Sequence, residues 1–143
     1  MTSNYKFIDH TADIAIEVSG NTYAELFIAA LAGWKDSVIK VSTKKRELIK
    51  KEIVLEEYSI EELLVSYLQE LNYLFENKKL FPAGLNDIHI EQKDDRFLLR
   101  SVIRFASATA DDEIKTEIKA VTFHQLDIKK VNEVYKTILV FDI

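Results

Sequence analysis

Alternating apolar and polar residues near the start of the chain predict two short β-strands. Residues 14–18 place large apolar side chains at every second position, and residues 5–8 follow a similar pattern. A period of two is typical of a strand with one buried face. The polar segment 9–13, which reads D-H-T-A-D, lies between the two runs and is predicted to be a turn. This turn is the first candidate for a functional site.

Two later segments have apolar residues at the spacing of an α-helix. A capping box of Thr22 with Glu25 predicts the start of the first helix, and Ser59 with Glu62 predicts the start of the second. The first stripe contains Leu26, Phe27, Ala30, Leu31 and Trp34, and the second contains Leu63, Leu64, Tyr67, Leu68, Leu71, Leu74 and Phe75. Both helices are therefore amphipathic and need a sheet beneath them. The large aromatic residues of the helices are interpreted as core, namely Trp34, Tyr67, Tyr73 and Phe75.

The remaining segments predict strands. Residues 48–55 form one, and the sequence F-P-A-G at 81–84 is predicted to stop the second helix. Residues 88–105 predict a hairpin around a K-D-D turn, and residues 117–128 and 134–143 predict two more strands. The chain is therefore predicted to be α+β, with two amphipathic helices packed on a mostly antiparallel sheet.

Composition favours a single domain over residues 1–143. A chain of 143 residues with 48% hydrophobic and 30% charged content can form one core of its own. Three glycines and one proline leave few flexible stretches. Because the chain has no cysteine, disulfides, thiolate zinc sites and cysteine nucleophiles are excluded. Any metal ion must be held by oxygen or imidazole.

The charge balance favours a protein partner over a nucleic acid. A net charge of -5 and a pI near 5.3 leave no dense basic footprint for phosphates, so tight direct RNA binding is not expected. The basic run 44–46 is predicted to be a solvated loop, although it could contact an acidic partner. No apolar run approaches the roughly 20 residues that span a bilayer, and residues 1–7 do not resemble a signal peptide. We therefore expect a cytoplasmic protein that has no membrane partner.

Four segments in the same order resemble the archease family. Residues 7–13 match its opening motif, aromatic-x-D-H-T-A-D, and residues 117–124 contain I-K-A-V-T. Residues 63–75 and 141–143 resemble the family's leucine-rich helix and its chain end. The resemblance covers essentially the whole chain, and D-H-T-A-D and I-K-A-V-T are its most specific motifs. The chain departs from the family at 104–115, where archeases usually have a Gly-Glu pair and a later histidine.

The resemblance implies an accessory factor of an RtcB-type RNA ligase, which seals exons during tRNA splicing with GTP and divalent metal. Archeases accelerate guanylylation of that ligase and restore its multiple turnover, so the chain would be a protein cofactor of the ligase and not an enzyme. The family's metal-binding aspartates correspond to Asp13 and Asp142, and its functional lysine corresponds to Lys119. Asp9 and His10 belong to the motif without an assigned individual role. No catalytic residue is implied.

The residue types are consistent with this metal site. Asp13, Asp142 and the α-carboxylate of Ile143 would form a cluster of hard oxygen donors, which suits Ca, Mg or Mn. An alternative is that Asp9, Thr11 and Asp13 only hydrogen-bond the backbone of the turn. Asp142 would then be a solvated acid near the end of the chain.

The other polar candidates also have simpler interpretations. Lys119 between Ile118 and Ala120 could be an ordinary solvated strand lysine, and His10 could only fix the turn. His89 is predicted to point outward from a strand.

Two other functions remain open on the residues alone. The first is a metal-dependent phosphohydrolase, although only His10 lies near an aspartate-rich motif and no nucleophile or phosphate clamp is evident. The second is a passive domain that binds a small ligand or another protein, in which the acidic turn serves the architecture alone.

Overall fold

The computed structural model describes residues 3–8 and 13–143. Its elements are β1 Asn4–Ile8, β2 Asp13–Gly20, α1 Tyr23–Val38, β3 Ile39–Lys40, β4 Ile49–Glu57, α2 Ile60–Lys78, β5 Leu80–Lys93, β6 Arg96–Ser107, β7 Glu113–Ile114, β8 Ala120–Thr122, β9 Lys129–Val131 and β10 Val134–Asp142. The predicted α+β class is confirmed. Neither helix in these ranges is long and apolar enough to cross a membrane. Asp9 and His10 lie outside the described residues.

Both helices begin where their capping boxes predict. The Thr22 hydroxyl accepts a hydrogen bond from the Glu25 backbone N–H (3.1 Å), and the Glu25 carboxylate accepts one from the Asn21 N–H (2.9 Å). At α2, the Ser59 hydroxyl accepts a hydrogen bond from the Glu62 N–H (3.1 Å). The bonds from the Glu25 and Glu62 N–H groups satisfy donors that the first turn of a helix leaves without an intrahelical partner.

The end of α2 differs from the prediction. The helix ends at Lys78, and Lys79 takes the left-handed conformation with φ 55° while its N–H donates to Phe75 O (3.0 Å). Glycine normally provides such a cap, and a lysine at this position does not signal one. The segment 81–84 does not stop the helix, because it already lies in β5. Pro82 is tolerated there because β5 is an edge strand with an irregular register after this residue.

The strands pair antiparallel, as predicted, and they are divided among three sheets. A five-stranded sheet has the order β1-β2-β10-β8 with β9 also paired to β10, a three-stranded sheet has the order β4-β6-β5, and β3 pairs with β7. The strand predicted at 117–128 is wrong in length, since only Ala120–Thr122 joins the sheet. Beyond this strand the Asp127 N–H donates to the Thr137 hydroxyl (3.0 Å). The Thr137 side chain thus takes the place of the backbone carbonyl that a regular strand pair would provide.

The helices and the inner faces of the two larger sheets share one core. Its largest members include Trp34, Phe27 and Tyr67 from the helices. The expectation that Trp34, Tyr67 and Phe75 are core residues is confirmed, because each is at most 1% exposed. Tyr73 is 54% exposed, so its assignment to the core was wrong. This residue lies off the apolar stripe of α2 and faces away from the sheet.

The basic run 44–46 is not simply a solvated loop. Arg46 forms two hydrogen bonds with Asp112, Nη1 to Oδ2 at 2.6 Å and Nη2 to Oδ1 at 2.9 Å, and the Asp112 side chain is fully inaccessible. Asp112 also accepts the backbone N–H groups of Ser42 and Thr109, both at 2.8 Å. These contacts join two loops that are distant in sequence. One of them lies within residues 104–115.

We predict that Asp112→Asn lowers the melting temperature by several degrees. The substitution removes the negative charge from a bidentate pair and leaves Arg46 without its charged partner. Asp111→Asn is the matched control. The Asp111 side chain is 62% exposed, and its ion pair is an exposed one with Lys44 (Oδ2 to Nζ, 3.4 Å). Equal melting temperatures for the two variants would show that the pair does not stabilise these loops.

The same pair predicts a pH dependence. The hydrogen bonds from Arg46 hold the pKa of the Asp112 carboxyl well below its usual range, despite the opposing effect of burial. A lowered folded-state pKa stabilises the protein at pH values above the unfolded pKa, which is about 3.9 for aspartate. The stability difference between wild type and Asp112→Asn should therefore be full near neutral pH and shrink as the pH falls below about 4. Denaturation at a series of pH values measures this difference.

Candidate metal centre

Asp13 and Asp142 are direct cross-strand partners in the five-stranded sheet. The pairing of β2 with β10 places Asp13 opposite Asp142 and Ile14 opposite Phe141. Phe141 is completely buried in the core, so its neighbour Asp142 lies on the other face of the sheet together with Asp13. Side chains of directly opposed residues have Cβ atoms about 4.5–5.5 Å apart. Two of the predicted carboxylates, from near the two ends of the chain, therefore come together.

Lys119 lies beside the same end of β10. Ala120 pairs with Asp142, and the Lys119 backbone N–H donates to Asp142 O (2.8 Å). Lys119 is exposed, while the preceding Ile118 is 1% exposed, as the sequence predicted. Lys119 comes immediately before β8 and not inside a strand. The candidate lysine and the candidate aspartate are thus joined by one backbone hydrogen bond.

A buried asparagine of α2 fixes the segment that carries Lys119. Asn72 is 8% exposed, and its Nδ2 donates to Ile118 O (2.8 Å). Its Oδ1 accepts the indole N–H of Trp34 (3.0 Å). Gln69, one turn earlier, donates to Val121 O (3.3 Å). Sequence reasoning missed Asn72, although an asparagine within the apolar stripe of α2 was a signal that a buried polar group needs partners.

The described residues supply only part of a metal-binding shell. Within residues 3–8 and 13–143, no group of three or more acidic or histidine side chains has the arrangement of a metal site. Asp13 and Asp142 offer hard oxygen donors, which suit Ca, Mg or Mn, but such ions take six or more ligands. Ile143 follows Asp142, and its predicted role as a carboxylate ligand stays a prediction. The two aspartates fit a divalent cation that takes its other ligands from elsewhere.

His89, a histidine considered in the sequence, lies away from these aspartates. It is exposed on β5, in the three-stranded sheet, as the sequence predicted. It pairs with Arg100 of β6 in that sheet. His89 therefore adds no imidazole to the pair of carboxylates.

Comparison with known proteins identifies the family. The model of the archease protein family matches residues 5–143. The chain belongs to the archease family. Protein archease of Methanosarcina barkeri is 35% identical over 145 residues, covering 97% of this chain and 95% of that protein. Protein archease of Methanosarcina acetivorans is 31% identical over 140 residues with the same coverage. The resemblance found in the four sequence segments is confirmed.

Solved structures agree with this assignment. The solution structure of Methanobacterium thermoautotrophicum protein 1598 has a TM-score of 0.77 and 26% identity, and the match covers 97% of this chain and 98% of that one. The crystal structure of an archease, possible chaperone, from Thermotoga maritima has a TM-score of 0.64 and 30% identity over 96% of both chains. The α+β architecture is therefore that of archease structures.

We predict that Asn72→Ala destabilises the fold by roughly 1–3 kcal/mol. The substitution leaves the Trp34 indole N–H and the Ile118 carbonyl without their buried partner. Asn77→Ala is the control, because Asn77 is exposed and its amide donates only to Tyr73 O of its own helix (3.0 Å). Chemical denaturation measures both variants. Similar unfolding free energies for wild type and Asn72→Ala would mean that water replaces both bonds without cost.

Proposed function

We propose that this archease-family chain is an accessory protein of an RtcB-type RNA ligase, and that it promotes guanylylation and multiple turnover of that ligase. The pairing of Asp13 with Asp142 is the observation that carries the proposal. It brings together the two aspartates that correspond to the family's metal ligands, beside the corresponding Lys119. The Thermotoga maritima relative is named a possible chaperone, which supports a role that acts on another protein.

A divalent cation held by Asp13 and Asp142 is part of the proposal. Once bound, the cation supplies positive charge and exchangeable coordination positions for oxygen ligands. The chain itself contributes the carboxylate pair, held in register by the β2–β10 ladder. It also contributes the ammonium group of Lys119. The backbone N–H of this residue donates to Asp142 O (2.8 Å).

The proposed role is that of a protein cofactor of the ligase. The sequence has no glycine-rich loop followed by lysine to hold GTP phosphates. Its net charge of -5 also gives little electrostatic attraction for RNA. Both features favour a division of labour in which the ligase binds GTP and RNA while this chain acts on the ligase.

We predict that Asp13→Asn and Asp142→Asn each abolish the rise in melting temperature that Ca or Mn gives the wild type. A cation that binds only the folded state stabilises it in proportion to ln(1 + [L]/Kd), and each substitution removes a charged oxygen ligand. Asp95→Asn, in the exposed β5–β6 turn, is the control. Calorimetric titration measures the affinity directly. If both variants bind the cation like the wild type, the two aspartates are not metal ligands.

The same titration tests Ile143 separately. Extending the chain beyond Ile143 converts its α-carboxylate into a neutral amide and leaves both aspartates in place. We expect this extension to weaken metal binding, whereas an extension before Met1 should not. Equal affinities for the two extended forms would remove Ile143 from the ligand set.

We predict that Lys119→Ala leaves the stability within about 0.5 kcal/mol of wild type but impairs stimulation of the ligase. The side chain is exposed, and its backbone bond to Asp142 does not depend on its identity. Lys45→Ala, in an exposed loop, is the control. Single-turnover and multiple-turnover ligation of exon RNA by the cognate ligase, with each variant added, measures the effect. Full stimulation by Lys119→Ala would make this lysine an ordinary surface residue.

A further inference from the structure

A groove of about 520 Å³ lies between α2 and the segment 117–121. Tyr73, Glu76, Glu117 and Lys119 all line it. The groove opens on the α2 side of β8, whereas Asp13 and Asp142 occupy the opposite face of the five-stranded sheet. It is therefore a separate surface that shares Lys119 with the proposed functional site.

The charged groups of the groove have no partners within the described chain. In residues 3–8 and 13–143, the side chains of Glu76, Glu117 and Lys119 form no ion pair or hydrogen bond with another side chain. Elsewhere the protein does pair exposed glutamates, as in the contact between Glu52 and Arg100 (2.6 Å). Two carboxylates with no intramolecular partner in a concave surface are available to a cation from another molecule.

Tyr73 adds an aromatic surface to these carboxylates. Its side chain is 54% exposed, although it is large and mostly apolar. The ring lies off the core stripe of α2. It is not in any of the aromatic pairs formed among the described residues, such as Phe27 with Tyr67. An exposed aromatic face beside two carboxylates is a suitable environment for a planar cation, which stacks on the ring and donates to the acids.

From this arrangement we infer that the groove receives an arginine side chain of a protein partner. A guanidinium group stacked on Tyr73 would lie next to Glu76, which is three residues further along the same helix, and Glu117 lines the same groove as a second acceptor. The inference rests on the proposed function, in which the partner is the RNA ligase. It adds the chemistry of one contact between the two proteins.

Other ligand classes fit the groove less well. A nucleic acid would bring phosphates next to the Glu76 and Glu117 carboxylates, and the like charges would repel. An ammonium group could pair with the acids, but it lacks the planar fork of donors that stacks on an aromatic ring. Lys119 also lines the groove and repels a cation close to it, so the attraction for a guanidinium comes from the two glutamates.

An arginine model compound tests the pocket without the ligase. The probe is N-acetyl-arginine methylamide, titrated into the full chain and followed by backbone amide NMR. We expect saturable shifts around Tyr73 and Glu117, with binding about two- to fivefold weaker for the corresponding lysine and glutamine compounds. Tyr73→Ala should reduce the shifts, whereas Tyr58→Ala, which removes another exposed tyrosine, should not. Absence of shifts, or unchanged shifts in Tyr73→Ala, would overturn the inference.

Binding to the cognate ligase tests the contact itself. Glu117→Lys and Tyr73→Ala should weaken that binding at least about threefold while calcium affinity and melting temperature stay at wild-type values. Glu91→Lys, on exposed β5, is the charge-matched control. If these variants bind the ligase like the wild type, the inference is wrong while the proposed function stands. If the wild type neither binds nor stimulates the ligase, the proposed function fails, and a negative arginine titration then also rejects the pocket.

Discussion

Eight consecutive residue pairs hold β2 against β10, from Asp13 with Asp142 to Gly20 with Tyr135. Because side chains alternate between the faces of a sheet, a slip of one residue would turn Phe141 out of the core and Asp142 into it. The burial of Phe141 therefore determines which face carries the carboxylates. The hydrophobic core therefore fixes the face of the sheet on which the two candidate ligands lie.

The third strand of the site depends on a different constraint. β8 contains only three residues, Ala120–Thr122, which is too short to hold its place by a ladder alone. Its position is reinforced from α2, where Gln69 and Asn72 donate side-chain hydrogen bonds to Val121 O and Ile118 O. Asn72 in turn accepts the indole N–H of Trp34 on α1. The helices thus provide the hydrogen-bond donors that a further strand would otherwise supply to this edge.

The sequence predicted those parts of the fold that local chemistry determines. The capping boxes at Thr22 and Ser59 gave the helix starts, and the apolar stripes gave the helix faces, because both depend on neighbours within a few residues. The left-handed cap at Lys79 was missed because it uses no glycine. The Arg46–Asp112 pair was missed because its partners are 66 residues apart in sequence, a separation that no periodic pattern reports. Tyr73 was assigned to the core because its aromatic character outweighed its position off the stripe.

The candidate site was predictable only in part for the same reason. Periodicity placed Asp13 in the turn before one strand and Asp142 near the end of another, but strand order and register are tertiary properties. Their proximity was expected from the family resemblance, and the sheet now provides its physical cause. The segment 117–121 then separates two surfaces with different chemistry, since one face of the sheet carries the aspartates and the α2 side carries the groove with Tyr73. A partner that contacts both must pass around the edge at β8. Lys119 lies at this edge. Its side chain lines the groove, and its backbone N–H donates to Asp142 O, so a substitution there changes the groove and leaves the backbone bond to the aspartate in place.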